Sequence, residues 1–154
     1  AGKTEIMAHF DKEKSGDTEF IFQNGTLSGN PVAAVAGLKT LEILRRPGSY
    51  ERIRKNGKTV IQGINKHLRT TGVPHRILGD PVMFDVVFTR DPVHNYRDML
   101  RCDTERSKQF NFHLRKNNIL KQDAKFYVSV VLTEDDLNCT LDAISSAAER
   151  VAEV

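Results

Sequence analysis

The sequence predicts an α/β (α+β) chain in which helices pack on a small sheet, and three observations carry that prediction. From Ser49 onward the segments alternate helix, strands, helix, strand, helix. Between Tyr50 and Leu68 apolar residues recur at spacings of three and four, the signature of an amphipathic helix with one buried face. The runs "VMFDVVF" (Val82 to Phe88) and "KFYVSVVL" (Lys125 to Leu132) are dense in branched and aromatic residues and read as strands. A sheet with helices laid on it is the layer arrangement that hides both kinds of apolar surface.

Each element has its own local warrant. Thr4 to Phe10 reads as a short helix, with Thr4 as cap and Glu5 near the positive end of the dipole. Asp11 to Asp17 is polar and reads as a loop, and the apolar Glu19 to Gln23 ("EFIFQ") as a strand. From Pro31 the pattern turns helical, with proline at the first position, where its missing N–H costs nothing. Small residues on several sides of that helix imply close packing. Pro47-Gly48 ends it, and Ser49 can cap the next helix, whose inner face holds Tyr50, Ile53, Val60, Ile61, Ile64 and Leu68. After the turn Thr71 to Pro74, "HRILG" and Val82 to Phe88 read as paired strands or as a strand with a bend at Gly79-Asp80-Pro81. Asp91-Pro92 breaks the sheet. Thr104 to Asn117 is helical, with Phe110, Leu114 and either Phe112 or His113 inward. Thr133 heads the last helix, where Asp136 takes the place of the usual glutamate of a capping box and Leu137, Leu141, Ile144 and Ala148 form the inner stripe.

Composition bounds the function classes. A chain of 154 residues with 39% hydrophobic and 28% charged residues can bury a real core. Its charge of +3 comes from 23 basic and 20 acidic residues without a long run of one sign, so nucleic acid is a weak reading. Cys102 and Cys139 lie too far apart for a CxxC pair or a zinc cluster and are expected as free thiols in a reducing compartment. No stretch approaches the roughly 20 apolar residues that cross a bilayer, and no charged-then-apolar leader opens the chain. The expectation is a cytoplasmic protein with no membrane partner. Ala1 in first place fits a trimmed or excised chain.

Few residues invite chemistry. The five histidines (9, 67, 75, 94 and 113) include no HExxH and no pair at metal spacing, so no metal is expected. Glu134, Asp135 and Asp136 favour a helix dipole more simply than they form a catalytic acid pair. No lysine sits in a sequence context apolar enough to mark it for Schiff-base work. The stretch "QNGTLSGNPVAA" (Gln23 to Ala34) stands apart. It can be an Asn30-capped helix after a glycine turn, a glycan acceptor at Asn24-Gly25-Thr26, or a phosphate loop. The third reading has a physical basis: a helix start offers unpaired N–H groups, Gly25 and Gly29 leave room for an anion, and Thr26 and Ser28 carry hydroxyl donors. It lacks a Walker lysine and the GxGxxG spacing, so a nucleotide is not implied. A glycan needs a secreted chain, and the second sequon, Asn138-Cys139-Thr140, falls inside the last helix.

The segment "GTLSGNPVAAVAGLKTLEILRRPGSYERI" (Gly25 to Ile53) resembles that of the class III pyridoxal-phosphate-dependent aminotransferase family, especially its glutamate-1-semialdehyde 2,1-aminomutase branch. The resemblance continues through "AGKTEIM", "GVPHRILGDPVMFDVVFT", "FNFHLRKNNIL" and "YVSVVLTEDDLNCTLDAISSAAERV" and covers essentially the whole chain in order. It implies the C-terminal part of a fold-type I enzyme, with residues 1–46 as the tail of the large cofactor domain and its connecting helix, and 47–154 as the small domain. It also implies pyridoxal 5'-phosphate as cofactor and an amino-acid or amine substrate. In the implied homodimer Gly25 and Thr26 reach across the interface to the phosphate of the partner subunit's cofactor. The Schiff-base lysine and the aspartate that pairs with the pyridine nitrogen would precede Ala1. Lys3 is not that lysine, no catalytic residue is expected within the chain, and alone it is not expected to transaminate. Two departures weaken the aminomutase choice: Ala124 stands where that branch has a glutamate, and Leu132 where it has histidine. The alternative from another class is a non-catalytic dimerisation or regulatory module.

Overall fold

The computed structural model describes residues 2–23 and 25–153. Asn24, the first glycan candidate, and Ala1 lie outside the described residues. The chain divides into two compact units, Ala1–Arg45 and Arg46–Val154.

In the first unit the predicted opening helix is split into α1 (Thr4–Met7) and a 3₁₀ turn (Ala8–Phe10). Lys3, not Thr4, occupies the cap position, with no side-chain cap bond. The segment read as a polar loop is instead α2 (Lys12–Glu19). Asp11 caps it by accepting from the Glu13 N–H at 3.1 Å, and the ion pairs Lys12–Asp17 (2.7 Å) and Lys14–Asp11 (3.1 Å) brace it. Gly16, at φ 69°, kinks it, a conformation that glycine adopts without a Cβ penalty. The strand expected at Glu19 to Gln23 does not form: the Ile21 N–H donates to the His9 carbonyl at 2.7 Å, and Ile21 and Phe22 are exposed. An apolar run becomes a strand only beside another, and no strand is described in this unit. The helix from Pro31 is present as α3 (Pro31–Leu44), with proline in its first turn and no buried residue within the unit.

The second unit starts with α4 (Ser49–Thr70), capped by Gly48 in the left-handed conformation, so that Ser49 is its buried first residue and not the cap. Ile53, Val60, Ile64 and Leu68 form its buried stripe, whereas Tyr50, expected inward, is exposed. The hairpin is β1 (Arg76–Asp80) paired antiparallel with β2 (Met83–Val87), Gly79 opposite Phe84. Gly79, at φ 114° with its α-carbon against the Met83 carbonyl, has no room for a side chain. A short helix missed in the sequence, α5 (Tyr96–Met99), follows, closed by an Asn95–Asp98 capping box. Next come α6 (Thr104–Lys116), β3 (Lys125–Tyr127) and α7 (Glu134–Ala152).

Strand β3 pairs antiparallel with β2, giving the order β1-β2-β3. It is shorter than the run of eight residues expected, because the chain turns at Val130 and Val131. Helix α7 packs against both α4 and α6. Its Ala143, Ala147 and Ala148 are fully or nearly buried, and small side chains there let three helices meet. Phe84 and Phe126 stack at 4.9 Å between centroids, and Phe88 meets Phe110 edge-on at 5.6 Å, tying β2 to β3 and to α6. Phe110 and Leu114 point inward as expected. Their buried neighbour is Asn111, while Phe112 is exposed.

Candidate functional site

The loop before α3 is built from two successive turns. The Ser28 N–H donates to the Gly25 carbonyl at 2.9 Å, and the Asn30 N–H to the Leu27 carbonyl at 3.1 Å. Gly29 closes them at φ 74°. The Asn30 side-chain oxygen accepts from the Val32 N–H (2.9 Å) and the Ala33 N–H (3.2 Å). The helix-cap reading of Asn30 is therefore observed, and the first amides of α3 are already engaged. An anion at this loop would meet Thr26 and its neighbours ahead of the helix. The Ser28 hydroxyl lies where a Cβ on Gly25 would stand, so position 25 tolerates no side chain without moving Ser28. Gly25 and Thr26 are both exposed. The Ser28 hydroxyl beside the Gly25 α-carbon and the exposed Thr26 are the groups that this loop could offer an anion ahead of a 14-residue helix.

The other sequence candidates fall to structural roles. Thr133 and Asp136 form the expected capping box: the Thr133 hydroxyl and N–H donate to Asp136 Oδ2 at 2.7 and 2.8 Å, and the Asp136 N–H returns a bond of 3.1 Å. The backbone N–H of Thr133, with its hydroxyl, holds the Asp136 carboxyl below the usual carboxylate range. Among the described residues no group of His, Cys, Asp or Glu could hold a metal ion. His75 is engaged at both ring nitrogens, by the Val73 carbonyl (3.0 Å) and the Asn65 side chain (2.9 Å). Cys102 is half-buried, with burial pushing its thiol up, and Cys139 is exposed.

Lys121 corrects the reading that no lysine is set apart. Burial lowers its ammonium to about 8. Its Nζ donates to Asn111 Oδ1 at 2.7 Å and to the Gln122 carbonyl at 2.6 Å, with the Ala124 and Asp123 carbonyls at 3.3 and 3.4 Å. The same atom stands 4.7 Å from the centre of the Phe126 ring. Nothing in "LKQDAK" announces this, because the curl of the loop onto its own carbonyls and the approach of Asn111 and Phe126 arise only when α6 and β3 pack beside it. The buried Asn111, set among the inward Phe110 and Leu114, is the partner that a helical wheel could have marked.

Comparison with known proteins places the chain. It is 38% identical over 151 residues to the glutamate-1-semialdehyde 2,1-aminomutase of Thermus thermophilus, a match that takes in 96% of this chain and 34% of the relative. The chain is homologous to the class III pyridoxal-phosphate-dependent aminotransferases. An omega-transaminase from Sphaerobacter thermophilus superposes on the whole of this aminotransferase homologue, with a TM-score of 0.71 and 26% identity over 35% of its own length. A transaminase solved with pyridoxal phosphate bound shares the fold, at a TM-score of 0.68 and 22% identity, over 99% of this chain and 34% of its own. The part matched in these structures is the C-terminal one. No protein-family model matches the chain. It thus spans about a third of the length of the relatives it matches.

Proposed function

We propose that the chain is the C-terminal portion of a class III pyridoxal-phosphate-dependent aminotransferase or glutamate-1-semialdehyde 2,1-aminomutase, and that Gly25 and Thr26 hold the phosphate of a partner subunit's cofactor. The observation that carries this reading is the match across 96% of the chain, joined to an exposed loop that carries Gly25 and the hydroxyl residues Thr26 and Ser28. Residues 1–46 belong in this reading to the tail of the cofactor domain, and 47–154 form the small domain.

When bound, the cofactor supplies an electron sink for a carbanion of the amino-acid or amine substrate. The Thr26 hydroxyl donates to a phosphate oxygen. Gly25 leaves room for the Ser28 hydroxyl against the backbone, and the Asn30 cap fixes the loop on the start of α3. A dimeric assembly in the cytoplasm accords with the free thiols Cys102 and Cys139. Ala124 and Leu132, in place of the aminomutase glutamate and histidine, favour an aminotransferase acting on another amino acid or amine.

The experiment is a chimera in which this chain replaces the matching third of the Thermus thermophilus aminomutase. Retention of pyridoxal phosphate through gel filtration, read at 330 to 430 nm, supports the reading, and a folded chimera without cofactor contradicts it. The second reading is a non-catalytic dimerisation or regulatory module derived from the same family. It predicts a stable dimer of this chain alone that no pyridoxal phosphate perturbs.

A further inference from the structure

Helix α4 and the start of α7 enclose a groove of about 680 Å³ that lies wholly within the second unit. Leu132, Leu137 and Leu141 give it an apolar side, and α4 supplies a polar one. Leu141 is seated on the bare α-carbon of Gly63, so the two helices meet closely beside the groove. Its volume falls in the range of small-molecule sites, which join apolar walls to a few placed polar groups.

Asn56 lines the groove from α4 and is the unusual residue in it. It is only 6% exposed, yet its side chain makes a single bond, from Nδ2 to the Ser129 carbonyl at 3.5 Å, the outer limit of such a contact. Its Oδ1 accepts no hydrogen bond among the described residues. The one unpartnered side-chain polar atom sealed from solvent among those residues is Arg106 Nε. Asn56 Oδ1 is therefore reached from outside, through the groove that the residue lines. Native proteins rarely leave a buried acceptor without a donor.

Charges of both signs surround this acceptor without neutralising one another. Glu51, Lys55 and Glu134 line the groove, are exposed, and form no ion pair among the described residues. Glu51 and Lys55 stand four apart on α4, a spacing at which a glutamate and a lysine can pair. Lys39–Glu42 and Lys108–Glu105, elsewhere on the helix surfaces, do pair, at 2.8 and 3.3 Å. Arg52 gives one N–H to the Leu132 carbonyl at 3.1 Å and has no other partner among the described residues.

We propose that this groove binds a free aliphatic α-amino acid as its zwitterion. The ammonium donates to Asn56 Oδ1 on the side of the Glu51 and Glu134 carboxylates. The carboxylate meets Lys55 and the unused N–H groups of Arg52. A branched side chain lies on Leu137 and Leu141. A plain carboxylate leaves the open acceptor and the two acids without a donor, and a plain amine leaves Lys55 and Arg52 without an anion. The site is separate from the Gly25-Thr26 loop and does not depend on the proposed cofactor reading.

The test is a titration of the full chain with L-leucine, followed through its assigned amide NMR shifts, with isocaproate and isoamylamine in parallel as analogues that each lack one charge. Saturable shifts at the amides around Asn56 and at the start of α7 are expected with leucine at millimolar concentration or below, and binding of each analogue about tenfold weaker. Lys55→Glu, a change at an exposed position, is expected to weaken leucine about fivefold and leave the rest of the spectrum unchanged. Asn56→Leu is expected to abolish binding; where that chain does not fold, Lys55→Glu and the two analogues decide. No saturable shift up to about 20 mM leucine, equal binding of the analogues, or shifts on another face of the unit overturns the proposal.

Discussion

The α-carbon of Gly57, in the middle of α4, rests directly against the carbonyl of Pro81, so that the helix and the turn of the β1–β2 hairpin meet backbone to backbone. On helix propensity alone, alanine at position 57 would gain about 1 kcal/mol. A methyl group there collides with a main-chain oxygen that no rotamer change can move, and such overpacking costs about 1–3 kcal/mol or more. Gly57→Ala is expected to lower the urea midpoint of unfolding. The control is Gly37→Ala on α3, where no atom lies within 4 Å of the added carbon and the midpoint is expected to rise or hold.

Thr133 and Asp136 make the second prediction. Thr133→Ala removes the hydroxyl that receives the Asp136 N–H and is expected to cost about 1 kcal/mol, read by thermal unfolding. The Asp136 carboxyl is held below the ordinary 3.8, so the folded chain binds its proton less readily than the unfolded one. Its contribution is present in full above pH 3.8 and is lost as pH falls through the lower folded value. An Asp136→Asn chain should therefore show a shallower loss of melting temperature with acid.

Lys121 gives a pH dependence of the same sense, at the alkaline end. Its amine titrates near 8 when folded, against 10.5 when free, so between those values the unfolded chain holds more protons. Stability is then expected to rise as pH goes from 8 toward 10.5, relative to Lys121→Met, which has no such group. Parallel urea midpoints for the two chains over that interval would contradict the desolvated setting of this amine.

How much of this was legible in the sequence depends on how local each cause is. The caps at Asn30 and Thr133, the stripe on α4 and the hairpin around Gly79 are written in neighbouring residues, and they are found where the pattern places them. Helix α2 was hidden because its support is charge pairing and the Asp11 cap, with no apolar period to reveal it. "EFIFQ" misled for the complementary reason: it has strand composition, and no neighbouring strand is described. The phosphate role proposed for the Gly25-Thr26 loop was legible only as one of three readings from its glycines and hydroxyls; the family resemblance singled that reading out. Lys121 was illegible, since Asn111 and Phe126 reach it through the fold.

The cross-subunit role of Thr26 is tested most directly by mixed dimers of the chimera. Thr26→Val and loss of the Schiff-base lysine, which the other part of the chimera carries, are placed either on opposite subunits or on the same one. With the changes on opposite subunits, the one subunit that keeps its lysine faces an intact Thr26 across the interface, and the account predicts normal pyridoxal-phosphate affinity. With both on one subunit, the remaining lysine faces the valine, and affinity is expected to fall by about tenfold or more, as the loss of a hydrogen bond to a charged group implies. The reverse pattern, weak binding only when the changes are on opposite subunits, would contradict the account.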